Sequence, residues 1–279
     1  DGEIVVADSR KVYRGLDIGT AKPGRRARER VPHHMLDLVN PGEPYDAAAY
    51  AEDARIAVAS VQARGRTAIV SGGTGLYLAA LAGGLDPIAP GVDASDREKA
   101  RGKVREIPPE RRHEALAAVD PGSADRLHPR DRQRVDRALE VWHLTGTPLS
   151  EHHRGGAERL DHVAFRIERP RSELHDRIQR RLERMLDAGL EEEARGLWRE
   201  GWSPTDPGLD TIGYQEWWPF FEGEIGRREA VHRILAASRR YAKRQSTWFR
   251  HQGDYRPVDA AGAVEAIASA WTDARGEGG

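Results

Sequence analysis

Cysteine is absent from the 279 residues, which excludes disulfides and thiol catalysis and fits a cytosolic protein. Lysine is scarce: only 5 of the 44 basic residues are Lys, so cationic chemistry falls mainly on arginine and a lone Arg carries little weight. No long apolar run is present, so no membrane span is expected. The first residues show no basic region followed by an apolar stretch, so no secretory signal is expected either. Excess charge of one sign is also missing, the net charge being −1. A nucleic-acid partner would therefore need basic residues gathered locally. There is no nucleophile elbow and no Rossmann glycine fingerprint. His33-His34 and His152-His153 are adjacent pairs, without the three- or four-residue spacing that sets two ligands on one helix face.

What remains is a globular composition, 38% hydrophobic and 32% charged, in a chain long enough for one large domain or two smaller ones. Residues 3–7 read as a short buried strand, and Asp8 and Ser9 follow at its end. A helix is predicted from Ala47 to Arg64, with Tyr50, Ala54, Ala57, Val58 and Val61 on its apolar side and Gly65 ending it. Thr67 to Ser71 form a second buried run that leads into Gly72-Gly73-Thr74 and another helix. Strand, helix, strand, glycine turn and helix make the βαβ pattern of a parallel sheet. Strand signals stop at Pro87, and a helical insertion broken by prolines is expected over 87–153. Strand character returns at 162–168, followed by a helix from Ser172 with Leu174, Ile178, Leu182 and Leu186 on one face. A last strongly periodic helix spans Arg227 to Arg250, and a frayed tail is expected beyond it.

Four stretches carry candidate chemistry, each with a plainer alternative. Asp8-Ser9-Arg10 at a strand end faces the side of an open sheet where ligands bind, but a surface turn with an Asx bond has the same composition. The Gly72-Gly73-Thr74 turn lets backbone amides approach an anion or a base, or is an ordinary turn with Thr74 as N-cap. On the helix around Asp131 to Val141, Gln133 and Arg137 share a face with Arg134 beside them, the pattern also of a solvated charged surface. The final helix is more telling. Arg233, Arg240 and Arg244 lie on one face and Arg239, Lys243 and Arg250 on the next, with no acid between Glu229 and Asp254. Such a stripe suits a polyphosphate partner.

Six stretches taken together resemble the bacterial tRNA dimethylallyltransferase (tRNA isopentenyltransferase) family. They are ADSRKVYRGLDIGTAKP, VPHHMLDLVNPGEPYDAAAYAEDA, SGGTGLY, LHPRDRQRVDRALEVWHLTGTPLS, TIGYQE and YAKRQSTWFRHQ. They stand in the family's order and spacing over nearly the whole chain. The resemblance implies a P-loop NTPase-like α/β fold, a parallel sheet flanked by helices, with core 1–86 and 154–279 and a tRNA-contacting helical insertion at 87–153. It implies transfer of a dimethylallyl group from dimethylallyl diphosphate to the exocyclic amine of the adenosine 3′ of the anticodon. Asp8 resembles the general base, and Thr74 the residue that hydrogen-bonds at the reacting centre. Asp8, Ser9, Arg10, Lys11 and Thr74 resemble the adenosine pocket. Arg97, Gln133, Arg134, Val135, Asp136, Arg137, Gly213, Tyr214, Gln215, Lys243, Arg244, Gln245 and Arg250 match stretches that contact tRNA. Mg²⁺ is the implied cofactor, the tRNA anticodon stem-loop and dimethylallyl diphosphate the implied partners, and a cytoplasmic monomer the implied state.

Three departures from the family pattern qualify the resemblance. Lys11 stands where members usually carry Gln, and Gly213-Tyr214-Gln215-Glu216 lacks an Arg that many members have. Members also begin with a strand and a Gly-x-x-x-x-Gly-Lys-Thr loop, and no segment of these residues matches that loop. A chain without this unit is expected to lack its principal diphosphate cradle and a central strand and to be poorly stable; the first reading is a tRNA prenyltransferase missing that unit, the alternative a tRNA-binding protein that has lost catalysis with it.

Overall fold

The computed structural model describes residues 1–83, 94–152 and 160–276. Strand β1 (Gly2–Ala7) lies between β2 (His33–His34) and β3 (Thr67–Gly72), and all three run parallel. Val5, Val6 and Ala7 are all buried, the continuous apolar run of a strand covered on both faces. β3 is an edge of this sheet, with Ile69 half exposed. Between β1 and β2 lies the short helix α1 (Arg25–Arg30). Helix α2 (Ala47–Ala63) then crosses from β2 to β3. Asp46 caps it by accepting from the amides of Ala48 and Ala49, both at 3.0 Å. Its buried residues, Tyr50, Ala54, Val58 and Val61, are four of the five on the predicted apolar side, Ala57 being half-buried, and Gly65 follows at φ +69°. Helix α3 (Gly75–Leu81) packs on it through Tyr77, whose ring stacks on Tyr50 at 4.2 Å.

A second compact unit spans Gly83–Leu160, and the first combines Asp1–Ala82 with Asp161–Gly279. The boundaries expected at 86/87 and 153/154, with His153, involve positions outside the described residues. The second unit holds α4 (Ala94–Glu106), α5 (Arg112–Val119), α6 (Pro121–Arg126), α7 (Arg132–Thr145) and α8 (Leu149–His152). Val104, Leu116, Ala124, Val135, Ala138 and Leu139 form its core. Prolines mark its turns, Pro121 opening α6 behind the cap Asp120. The buried Asp120 carboxylate accepts from the Ser123 amide at 2.9 Å and the Ser150 amide at 3.0 Å, tying α8 to α6.

Back in the first unit come β4 (Phe165–Glu168), α9 (Arg171–Asp187), α10 (Leu190–Arg199), α11 (Trp218–Phe221), α12 (Arg227–His251), β5 (Arg256–Asp259) and α13 (Ala263–Gly276). β4 and β5 form a separate parallel pair. The strand expected over 162–168 is thus only its last four residues. The tail expected to fray beyond α12 carries β5 and α13, and positions 277–279 lie outside the described residues. Pro257 hides β5 from a sequence reading, being tolerated where its missing N–H faces away from the partner strand. The main core of the unit joins Val12 and Leu16 to Leu182, Leu190, Leu197, Tyr214, Trp217 and Ile234.

At the start of β1, Glu3 is a buried carboxylate. It is paired with Arg64 at 2.7 Å, Arg66 at 3.0 Å and His34 Nε2 at 2.7 Å. Arg64, then His34, hold its pKa down from 4.5 to about 2 against the opposing effect of burial. A depressed carboxylate pKa contributes stability that is present above 4.5 and lost as pH falls towards 2. Glu3→Gln should therefore lower the melting temperature at pH 7 and shrink the difference from wild type by pH 3. Parallel melting curves across that interval would show that Glu3 contributes nothing to acid sensitivity.

Candidate functional site

The end of β1 meets the turn after β3. Ala7 is in register with Gly72, and the Thr74 amide donates to Ala7 O at 3.1 Å. Two backbones come this close only because position 72 has no side chain: a Cβ there would stand 1.9 Å from Ala7 O. Thr74 sits at the N-cap of α3, yet its hydroxyl makes no capping bond. Instead Thr74 Oγ1 accepts from the Ser9 amide at 2.9 Å and donates to Ser9 Oγ at 3.3 Å. The N-cap alternative is corrected accordingly, because the hydroxyl is committed to the neighbouring strand end. Asp8 Oδ1 accepts from the Arg10 amide at 2.9 Å, an Asx turn that leaves the carboxylate at the sheet rim.

Two cations, the half-buried Lys11 and the exposed Arg181, lie within electrostatic reach of Asp8. Burial pushes the Lys11 ammonium down, Asp8 pulls it back up, and Arg181 and Lys22 oppose it. Arg181, from α9, is likewise lowered by desolvation and supported by Asp8. An open cleft of about 660 Å³ runs past Lys11, Ile18, Lys22, Arg181 and Met185. Arg181 was not among the residues singled out from sequence, although a signal was there. It occupies the 174/178/181/185 row of α9, where the apolar stripe calls for an aliphatic side chain.

The loop after Leu16 has a structural anchor. The Glu193 carboxylate of α10 accepts from the amides of Asp17 (3.1 Å), Ile18 (2.9 Å) and Gly19 (3.2 Å), and from the Tyr214 hydroxyl. Tyr214 in turn accepts from the Gly19 amide at 3.0 Å. Burial, together with Glu193, raises the Tyr214 pKa and keeps its hydroxyl protonated as a donor. Lys22 is almost wholly buried, donating to Asp17 at 2.8 Å, Asp37 at 2.5 Å and Tyr13 O at 2.5 Å.

The other sequence-predicted residues divide into exposed and structural groups. Arg10 donates to Pro207 O at 2.9 Å and lies 3.8 Å from Asp210. Lys243, Arg244 and Arg250 are exposed on α12, while Gln245 turns inward and donates to Gly73 O at 2.8 Å. Arg233 is paired with Glu229 at 2.8 Å, so the basic stripe is partly neutralised at its start. Tyr214, expected in a tRNA-contacting stretch, is fully buried and its hydroxyl donates to Glu193. Gly213 adopts φ +99°, its amide donating to Glu216 at 2.8 Å, and Gln215 follows half-buried.

Within the second unit Gln133 and Arg134 are exposed, Arg134 pairing with Asp131 at 3.1 Å. Arg137 pairs with Glu140 at 3.3 Å and Asp136 with Arg112 at 2.7 Å, and Arg97 is half-buried on α4. Val135, expected both in a tRNA-contacting stretch and in the buried stripe of this helix, is buried in that unit's core.

Comparison with known proteins bears on the whole arrangement. The family model described as IPP transferase matches residues 11–252. A tRNA dimethylallyltransferase of Halorhodospira halophila is 46% identical over 258 residues, which is 91% of this chain and 83% of that one. The crystal structure of a tRNA delta(2)-isopentenylpyrophosphate transferase from Staphylococcus epidermidis superposes with a TM-score of 0.68 at 31% identity, over 98% of this chain and 91% of the other. A eukaryotic dimethylallyltransferase acting on tRNA shares the fold, with a TM-score of 0.81 at 24% identity over 98% of this chain and 73% of that one. With the family model covering most of its length and such relatives along nearly all of it, the chain belongs to the IPP transferase family.

Proposed function

We propose that this protein transfers a dimethylallyl group from dimethylallyl diphosphate to the exocyclic amine of the adenosine 3′ of the anticodon in tRNA. The observation that carries the reading is Asp8 at the rim of the sheet, beside the Ser9–Thr74 pair and within electrostatic reach of Lys11 and Arg181. An adenine amine is a weak nucleophile because its lone pair is delocalised into the ring. As its nitrogen bonds to the allylic carbon, the carbon–oxygen bond to diphosphate breaks and the amine proton passes to the Asp8 carboxylate. Negative charge then builds on the departing diphosphate, where Lys11 and Arg181 are the fixed cations at hand. The adenosine leaves the anticodon-loop stack to reach this site.

Mg²⁺ enters the proposal as a companion of the diphosphate. Among the described residues no group of three or more His, Asp or Glu side chains could hold a metal. An ion carried by substrate phosphates needs no such cage. The protein is proposed to act as a monomer. Among the described residues no helix is long and apolar enough to cross a membrane.

The exposed cations Lys243, Arg244 and Arg250 are proposed to meet tRNA phosphates, and Arg97, Gln133, Arg134 and Arg137 are the contacts proposed for the second unit. Lys243→Ala and Arg244→Ala should each weaken anticodon stem-loop binding and flatten its salt dependence, by about one unit of slope per lost phosphate contact. Arg233→Ala serves as a control, because Glu229 already neutralises that side chain. Identical slopes in all three variants would make α12 an ordinary solvated helix. The direct test of the proposal is formation of prenylated adenosine in an anticodon stem-loop incubated with dimethylallyl diphosphate and Mg²⁺. Failure of the full-length folded protein to form it would overturn the reading.

A further inference from the structure

We infer that Gln245 is a positioning residue for the Gly72–Thr74 turn, fixing the hydroxyl of Thr74 against Ser9. Its amide Nε2 donates to Gly73 O at 2.8 Å. The carbonyl can only accept, so the donor assignment follows from the partner. Gly73 O and Thr74 N belong to one peptide group. That group is planar, so its carbonyl and its amide hydrogen point in opposite directions and turn together. The carbonyl end is held by Gln245 of α12, and the amide end donates to Ala7 O of β1 at 3.1 Å. Pinned at both ends, the peptide cannot rotate without losing a hydrogen bond. The direction in which residue 74 leaves the turn is therefore set.

Thr74 then reaches Ser9 with both functions of its hydroxyl, accepting at 2.9 Å and donating at 3.3 Å. Ser9 adjoins Asp8, so the path from α12 to the carboxylate is Gln245, Gly73, Thr74, Ser9. Steric fit supports the same role. A Cβ on Gly73 would stand 2.0 Å from Gln245 Nε2, so the turn and the side chain are in close contact. Trp248, one helical turn further along, lies directly over Gly75. Lys243 and Arg244 precede Gln245 on the same turn of α12 and are exposed, so one helical turn carries outward-facing cations and an inward-facing clamp.

The inference rests on the transfer reading for its kinetic consequence but not for its structural one, and the test separates the two. Gln245→Met keeps length and packing and removes the donor. Gln245→Glu places an acceptor against the carbonyl and should be the more damaging. In the full-length protein, single-turnover transfer should fall by about 10- to 100-fold in Gln245→Met, since small misplacement of reacting groups costs on this scale. The KM for the anticodon stem-loop and the salt slope of its binding should stay near wild type. The backbone amides of Ser9 and Thr74 should exchange hydrogen faster than in wild type. A raised KM with unchanged single-turnover rate would make Gln245 a direct RNA contact and overturn the inference. Unchanged exchange at Ser9 and Thr74 would overturn it as well. Faster exchange in a protein that transfers nothing even as wild type would support the clamp while removing the transfer reading. If Gln245→Glu fails to fold, Gln245→Met alone decides.

Discussion

Asp8→Asn is expected to slow transfer at least about 10²-fold while leaving the affinity for the anticodon stem-loop nearly unchanged. The substitution is close to isosteric, and an Asn oxygen can still accept from the Arg10 amide, so the Asx turn should persist. What disappears is the ability to take a proton and the negative charge within electrostatic reach of Lys11 and Arg181. Desolvation lowers the pKa of both cations and Asp8 opposes it, so the variant should also carry a less basic Lys11. Measured under single-turnover conditions, kcat and kcat/KM should fall together, the signature of an interaction made only in the transition state. A near-normal single-turnover rate in Asp8→Asn would remove the carboxylate from the mechanism.

Gly72→Ala should have the largest effect on the fold around the site. The added methyl would meet Ala7 O at 1.9 Å, its carbonyl carbon at 2.3 Å and its Cα at 2.7 Å, all of them backbone atoms. No rotamer change can relieve that. β1 and β3 would have to part at the end of the ladder, where the Thr74 amide meets Ala7 O and Asp8 leaves the sheet. Overpacking of this kind costs about 1–3 kcal/mol and more when backbone must move, so a loss near the upper end is expected. Transfer should be lost with it, because Thr74 and Ser9 would separate. Gly102→Ala provides the contrast: nothing lies within 4 Å of its Cβ position on α4. Ala is the better helix former, so that variant should be neutral or slightly more stable. Denaturant midpoints for the two proteins measure the difference, and equal midpoints would mean that β1 and β3 yield easily.

Much of the sheet and its neighbouring helices could be read from the residues, because the signals there are local. Val5 and Val6 mark a buried strand, Tyr50 through Val61 a one-sided helix, and Gly72-Gly73-Thr74 the turn between β3 and α3. β2 escaped notice because two histidines are too few to show a period. The roles of single side chains were harder wherever the partner is remote in sequence. Tyr214 looks like a contact residue until Glu193 and the amide of Gly19 are found on its hydroxyl. Arg181 is hidden among the many arginines of α9, and only its position within an apolar row sets it apart. Thr74 has the composition of a cap, but its preference for Ser9 depends on two strand ends brought together by the sheet.

The carboxylate of Glu193 also has a consequence for chemistry at the neighbouring cleft. Three successive amides, from Asp17 to Gly19, converge on it as they would on a bound phosphate. The loop thus carries its own covalently tethered competitor at very high effective concentration. A phosphate could reach these amides only by displacing Glu193, so a phosphate-mimicking inhibitor gains nothing by reaching for the loop.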